Sequence, residues 1–225
     1  MNSAIVKREL ARRERDVRVG LVGAGAMGKG LLYQTLLTPG VTCVGLADIR
    51  VATAIACADE FGLDYRVVTS QESRARAVED GVLPICEDGA LLSAADAVDV
   101  FVEGSNAITA GVQHTILAIE HGKHVILMNA EIAQAFGPVL ADRARRNGVI
   151  CTSCDGDQHG VLKNVISDME LWGFELVMAG NIKGFHDLRA NPVSIKPEAD
   201  KRRLDAKMCA AYTDGTKLNI EMSVL

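Results

Sequence analysis

The sequence predicts an α/β fold built on a doubly wound parallel sheet, and three observations predict it. Apolar, β-branched runs alternate with helical patterns from residue 17 onward, which is the order that parallel sheets require. A glycine-rich turn, "GAGAMG" at 23–28, joins the first apolar run to the first helical pattern. Aromatic residues make up only 4% of the chain, so aliphatic side chains must fill the core. Together these features indicate a Rossmann sheet.

Strand and helix alternate through the first 155 residues. Strands are predicted at 17–22, 41–48, 83–88, 97–105, 123–129 and 149–154, six in all. Helices are predicted at 26–37, 52–61, 70–80, 89–95, 107–122 and 131–148. Because the segment 1–16 has the charged, amphipathic pattern of a helical arm, the sheet domain is expected at 17–155.

The remaining residues, 156–225, are predicted to begin a second, smaller α+β domain. Helices are predicted at 158–172 and 197–211, and strands at 174–180 and 216–225. The chain stops inside the last apolar run, and an edge strand needs neighbours to pair with. We therefore expect a partial domain, either because the sequence is truncated or because the missing strands come from another subunit.

The composition limits the classes of partner that the chain can have. Its formal net charge is −5 at pH 7, which gives no basic field to attract nucleic acid or an anionic membrane surface. No apolar run approaches the ~20 residues that span a bilayer, and the charged start lacks the apolar core of a signal peptide. The six cysteines lie in apolar surroundings, as the free thiols of a reducing compartment do. We expect a cytoplasmic protein whose partner is a small molecule or another protein.

The glycines of the "GAGAMG" turn lie where a dinucleotide-binding fingerprint needs them. Gly23 permits a tight turn after the strand, Gly25 lets a pyrophosphate approach backbone N–H groups, and Gly28 lets the helix pack closely on the sheet. Ala26 and Met27 complete the predicted contact set at the helix N-terminus, whose partial positive charge favours phosphate. The alternative is a tight turn that binds nothing.

The second predicted strand ends in "ADIR", which bears on the choice of dinucleotide. Asp48 follows the glycine turn by about twenty residues, where a carboxylate accepts hydrogen bonds from ribose hydroxyls and repels a 2′-phosphate. Arg50 offers a guanidinium that could pair with such a phosphate, or it is a solvated surface charge. The expected cofactor is NAD or NADP, with NAD favoured.

Polar residues follow later strands at the sheet edge where ligands of open parallel sheets bind. Gly104 lies in the "EGSN" loop, and Asn129 and Glu131 follow the strand at 123–129. We predict that Gly104 and Asn129 contact the cofactor and that Glu131 takes part in catalysis. Helix capping is the alternative for Asn129 and Glu131, since both types are common at helix starts.

Two carboxylates, an amide and an imidazole fall within "CDGDQHG", residues 154–160, which is more than a turn needs. Asp157 is the predicted catalytic member, and His159 is either an acid–base group or a cap. Cys151 and Cys154 lack a second Cys/His pair at zinc spacing, so no metal site is predicted.

Lys183 lies between two glycines on a loop that is predicted to return toward the cofactor cleft. A lysine of lowered pKa there could donate a proton to a carbonyl that receives hydride, and a solvated loop lysine is the alternative. Residues 183–207 hold seven Lys or Arg against four acids. This excess suits an anionic substrate such as a sugar phosphate or a carboxylate.

Four blocks in order, "VRVGLVGAGAMGKG", "GKHVILMNAE", "GVICTSCDGDQHG" and "LWGFELVMAGNIKG", resemble the homoserine dehydrogenase-like oxidoreductases, in particular the 1-deoxy-D-xylulose 5-phosphate reductoisomerase-like branch. The resemblance implies a Rossmann domain, use of NAD(P)H and a substrate domain that forms a homodimer. By position it places Glu131, Asp157 and Lys183 at the cleft. The reductoisomerase-like members carry an arginine-rich end of strand two, where this chain has "ADIR".

These features are interpreted as those of an NAD(P)-dependent oxidoreductase, which moves hydride to or from a carbonyl or alcohol carbon of a small anionic substrate. Lys183 is the predicted proton donor, and Asp157 and Glu131 position the substrate or tune the lysine. Two alternatives stay open, a homoserine dehydrogenase and a truncated, non-catalytic dinucleotide-binding protein.

Overall fold

A computed structural model of the chain describes residues 3–154, 158–181 and 186–224. The chain divides into two units, Met1–Thr152 and Ser153–Leu225, and each is described by itself.

The sheet and its helices occupy the first unit and the start of the second. The strands of the described residues are β1 (Val17–Val22), β2 (Val41–Ala47), β3 (Tyr65–Val67), β4 (Leu83–Cys86), β5 (Val100–Glu103), β6 (His124–Leu127) and β7 (Cys151–Ser153). The helices that precede and connect them are α1 (Ser3–Ala11), α2 (Ala26–Leu37), α3 (Val51–Glu60), α4 (Gln71–Glu79), α5 (Ala90–Ser93), α6 (Ile108–Glu120) and α7 (Ala130–Arg146).

Within the described residues the strands form one sheet of order β3-β4-β2-β1-β5-β6-β7. The central strand β1 pairs in parallel with β2 on one side and β5 on the other. The chain therefore changes winding direction between β1 and β5, and in doubly wound sheets this is the position of the ligand crevice, beyond the carboxyl ends of the two strands. The predicted Rossmann fold is confirmed. The prediction of six strands missed β3, because an edge strand of three residues leaves little pattern to detect.

Side chains from the central strands alternate between the two faces of the sheet. Leu21 of β1 and Val102 of β5 pack on one face with residues of α2 and α3. Val22 and Phe101, their neighbours in sequence, pack on the other face with residues of α6 and α7. Because helices bury both faces, most strand residues are apolar, and the buried carboxylate of Glu103 lies at a strand end.

In the described part of the second unit, apart from the last residue of β7, the regular elements are helices. Its helices are α8 (Gln158–Leu171), α9 (Lys196–Arg202), α10 (Ala206–Thr213) and α11 (Thr216–Ser223). A small core joins α9 and α10 through Ile195, Ala199, Cys209 and Ala210. The single helix predicted at 197–211 is broken, because Arg203 adopts a left-handed φ of 55° and Asp205 caps a new helix by accepting from the N–H of Met208.

Both strands that the sequence predicts in the second unit are wrong. Residues 174–180 form neither helix nor strand, and Val177 and Met178 are 94% and 88% exposed. The segment 216–223 is the helix α11, which begins where Asp214 Oδ1 accepts from the N–H of Thr216 at 2.8 Å. This segment therefore needs no partner strands, since the backbone N–H and C=O groups of a helix hydrogen-bond to each other.

Candidate functional site

The glycine turn between β1 and α2 has the tight geometry that its sequence predicts. Gly23 has φ +95°, and its N–H donates to Ala47 O at 2.7 Å. A Cβ at Gly28 would overlap the carbonyl oxygen of Gly23 and lie 2.7 Å from its carbonyl carbon. A side chain at Gly23 would lie 2.8 Å from the carbonyl carbon of Gly104. These two glycines are therefore required by the fold itself.

Gly25 differs from the other two, because no contact inside the protein requires a glycine there. Its φ of −67° and ψ of −170° suit any residue, and a Cβ at this position would meet nothing within 4 Å. It is the exposed N-cap of α2, and Ala26 and Met27 follow as the exposed first turn. The first N–H groups of a helix have no intrahelical acceptor. An open space against such a helix end fits the pyrophosphate of a dinucleotide.

Asp48 lies directly beside the glycine turn. Its Oδ2 accepts from the N–H of Ala24 at 2.8 Å, and its Oδ1 accepts from the N–H of Arg50 at 2.8 Å. Each carboxylate oxygen keeps a further lone pair, so the half-buried side chain can still accept from a ribose. The Arg50 side chain is exposed on the same rim. The structure therefore places both predicted specificity residues at one edge of the turn.

The loop that follows β5 packs against the glycine turn. Gly104 N donates to Val22 O at 2.8 Å. Asn129 is 5% exposed, donates from Nδ2 to Ser105 O at 3.0 Å and accepts from Ile132 N at 3.2 Å. Asn129 thus caps α7 and also ties the ends of β5 and β6 together. Glu131 lies half-buried in the first turn of α7.

Sequence reasoning missed the side chain that pairs with the buried carboxylate at the end of β5. Glu103 is 0% exposed, and its Oε2 lies 3.4 Å from Nδ1 of His114 on α6. The His114 Nε2 lies 3.8 Å from Asp88 Oδ1. A histidine inside an apolar helix pattern gave no signal that it meets a carboxylate eleven residues earlier in the chain.

The described part of the second unit contributes two polar features. His159 is 5% exposed, its Nε2 lies 2.8 Å from Ser153 Oγ, and its Nδ1 has no hydrogen-bond partner among the described residues. Lys217 and Glu221 of α11 are 7% and 3% exposed, and their Nζ and Oε1 lie 4.0 Å apart. The predicted catalytic residues Asp157 and Lys183 lie outside the described residues. In the described ranges no cluster of His, Cys, Asp or Glu is arranged to hold a metal ion.

The fold and the turn define a nucleotide-binding α/β protein, and the comparisons with known proteins identify its family. Residues 17–152 match the family described as "Oxidoreductase family, NAD-binding Rossmann fold". Residues 156–225 match "Oxidoreductase DRL, catalytic domain". Because the first match covers more than half of the chain, the chain belongs to this NAD-binding Rossmann oxidoreductase family. The predicted nicotinamide dinucleotide is confirmed at the level of the family.

Individual relatives agree with the predicted resemblance. The chain is 27% identical over 125 residues to the 1-deoxy-D-xylulose 5-phosphate reductoisomerase of Rhodopseudomonas palustris (strain BisB18), over 54% of this chain and 31% of that one. It therefore spans about a third of the length of this curated relative. This relative and the match of residues 156–225 support the suspected branch of oxidoreductases.

Several solved structures are similar to the chain at low sequence identity. A DOX-P reductoisomerase with magnesium is 23% identical with a TM-score of 0.48, over 66% of this chain and 39% of that one. GenD2 from gentamicin A biosynthesis in complex with NAD is 19% identical with a TM-score of 0.49, over 69% and 40%. A homoserine dehydrogenase from Thiobacillus denitrificans is 18% identical with a TM-score of 0.49, over 70% and 34%.

Among the described residues, no helix combines the length and apolar character that crossing a bilayer requires.

Proposed function

We propose that the chain acts as an NAD(P)-dependent oxidoreductase, which moves hydride between a nicotinamide and a carbonyl or alcohol carbon of a small anionic substrate. The observation that carries the proposal is the open position at Gly25. Neither the packing nor the backbone of the protein requires a glycine there, and a pyrophosphate on the α2 N-terminus supplies the reason.

The polar rim of the turn supports NAD as the preferred dinucleotide. Asp48 is oriented by hydrogen bonds from two backbone N–H groups, so its carboxylate is held in place before any ligand arrives. A fixed negative charge accepts from ribose hydroxyls and disfavours a 2′-phosphate. Arg50 acts against this preference, and the balance between the two side chains sets its size.

For the chemical step we propose the three polar residues that the sequence singles out. The bound cofactor supplies or accepts the hydride. Lys183 donates the proton that the new hydroxyl group requires, and Asp157 and Glu131 orient the substrate. The cationic excess of residues 183–207 suits a phosphate or carboxylate on the substrate. 1-Deoxy-D-xylulose 5-phosphate and homoserine are the first substrates to test, since relatives are named for them.

Calorimetric titration of the purified chain with NAD⁺, NADH, NADP⁺ and NADPH tests the cofactor assignment. We expect micromolar binding and about a tenfold preference for the NAD pair, equal to about 1.4 kcal/mol. A chain that melts cooperatively and binds none of the four nucleotides would refute the proposed function.

The proposed proton donor is tested on whichever substrate gives turnover. Lys183→Met should lower kcat by roughly a hundredfold or more, the usual contribution of general acid catalysis, and leave dinucleotide affinity unchanged. Lys7→Met, at an exposed position of helix α1, is the matched control and should retain wild-type turnover. If Lys183→Met keeps kcat within a few-fold, the lysine is not the proton donor.

A further inference from the structure

The carboxylate of Glu103 is completely buried at the carboxyl end of β5, beside the crevice. Burial of a carboxylate is unfavourable unless hydrogen bonds compensate it. Its Oε1 accepts from both the backbone N–H, at 3.0 Å, and the hydroxyl of Ser105. Its Oε2 faces His114 Nδ1 at 3.4 Å. All of these contacts lie within the protein, so the side chain acts on its own loop.

The surrounding backbone is shaped to hold this carboxylate–imidazole pair. A Cβ at Gly89 would lie 2.8 Å from Cε1 of His114. Gly111 lies inside helix α6, where glycine weakens a helix, and a Cβ there would lie 2.5 Å from Cδ1 of Ile132 and 3.2 Å from Cδ of Glu103. Two glycines therefore leave the space that the pair occupies. The packing of the fold therefore accommodates the contact between Glu103 and His114.

The pair determines the course of the chain at the crevice. Ser105 is held by Glu103 from one side and by Asn129 Nδ2, which donates to Ser105 O at 3.0 Å, from the other. The Ser105 hydroxyl also accepts from Ala107 N at 3.2 Å. These bonds hold Gly104 beside the end of β1, where its N–H donates to Val22 O. The backbone at 104–105 is thereby fixed opposite the glycine turn.

We propose that Glu103, oriented by His114, is a positioning residue for the nicotinamide half of the dinucleotide. The inference rests on the proposed function. The adenosine and pyrophosphate half belongs to the glycine turn and Asp48, on the β1–β2 side. In a doubly wound sheet the ligand then crosses the switch point, and the first backbone that it meets on the β5 side is the 104–105 segment. Glu103 keeps that segment in the shape that receives the nicotinamide ribose and ring.

The test compares NADH with ADP-ribose, a fragment that lacks the nicotinamide. Glu103→Gln keeps the size of the side chain but replaces charge-assisted hydrogen bonds with neutral ones, which are about half as strong. We expect this variant to bind NADH about five- to tenfold more weakly than wild type and to bind ADP-ribose within twofold of wild type. His114→Phe removes the donor to Oε2 and should give the same pattern.

Asp99→Asn is the matched control, because Asp99 is also a hydrogen-bonded carboxylate but precedes the opposite, amino-terminal end of β5. It should leave both affinities unchanged. If Glu103→Gln weakens the binding of NADH and of ADP-ribose equally, Glu103 has a merely structural role. If the variant binds NADH as tightly as wild type, Glu103 has no role in binding. Either result overturns the proposal. If Glu103→Gln does not fold, Ser105→Ala decides in its place, with a selective loss of NADH affinity expected and equal losses contradicting us. Wild-type chain that binds neither ligand would instead refute the proposed function.

Discussion

Gly25 and Gly28 belong to the same turn, but the structure predicts opposite consequences when each becomes alanine. A Cβ at Gly28 overlaps the carbonyl oxygen of Gly23, and this obstacle is backbone, which cannot turn aside as a flexible side chain can. The first turn of α2 must therefore move away from the sheet. Overpacking of this severity costs about 3 kcal/mol or more, which in a chain of this size lowers the Tm by roughly 6–12 °C.

Gly25→Ala meets no such obstacle. Alanine is a poorer N-cap than glycine, but it also restricts the unfolded chain, which stabilises by about 0.4–1 kcal/mol. The two effects nearly cancel, so the Tm should stay within roughly 3 °C of wild type. The new methyl group fills the space assigned to the pyrophosphate. Loss of one charge-assisted hydrogen bond, about 1.5–3 kcal/mol, weakens NAD⁺ binding by roughly ten- to a hundredfold.

Thermal melts and calorimetric titration of the same two preparations separate these effects. The expected result is a Gly25→Ala chain that melts like wild type and binds poorly, and a Gly28→Ala chain that melts early. Wild-type NAD⁺ affinity in Gly25→Ala would refute the assignment of the open position to the pyrophosphate. A wild-type Tm in Gly28→Ala would refute the packing argument.

Three further predictions concern single side chains. Asp48→Ser should shift the ratio of NADP⁺ to NAD⁺ affinity about tenfold toward NADP⁺ in titrations and so abolish the preference for NAD⁺, because a repelling charge is removed. Burial raises the pKa of Asp99, but hydrogen bonds from Arg18 and Arg15 outweigh this effect and hold the pKa below its usual value. Asp99→Asn should therefore lower the Tm by roughly 2–4 °C at pH 7. The difference in Tm should shrink as the pH falls below about 4, where the wild-type carboxylate begins to protonate. Burial also raises the pKa of Cys86 to about 12. Iodoacetamide at pH 8 should therefore label this thiol only after denaturation, and mass spectrometry measures the labelling.

The first unit was predictable because its signals are local. Gly23 and Gly28 lie in and just after the turn that follows β1, and Asp48 directly follows β2. Their separations along the sequence are fixed, so a spacing rule is enough to place them. The contact between Glu103 and His114 has no such rule. It depends on how α6 lies across the end of β5, and on the space that Gly89 and Gly111 leave for it. Packing of this kind is decided in three dimensions and leaves no period in the sequence.

The wrong strand at the end of the chain shows how an apolar alternation can mislead. Leu218, Ile220 and Met222 alternate with polar residues, as in a half-buried strand. In a strand, Lys217, Asn219 and Glu221 would share one face.

The structure instead leaves Asn219 exposed and buries Lys217 and Glu221, which is the pattern of residues four apart on a helix. Lysine is almost never buried unless it is paired, and Lys217 is buried with its Nζ 4.0 Å from Glu221 Oε1. It also lies in the segment that matches a catalytic domain. The search for the proton donor should therefore include Lys217 beside Lys183, with Lys217→Met assayed in parallel. A loss of kcat in Lys217→Met but not in Lys183→Met would move the acid–base role from Lys183 to Lys217 of helix α11.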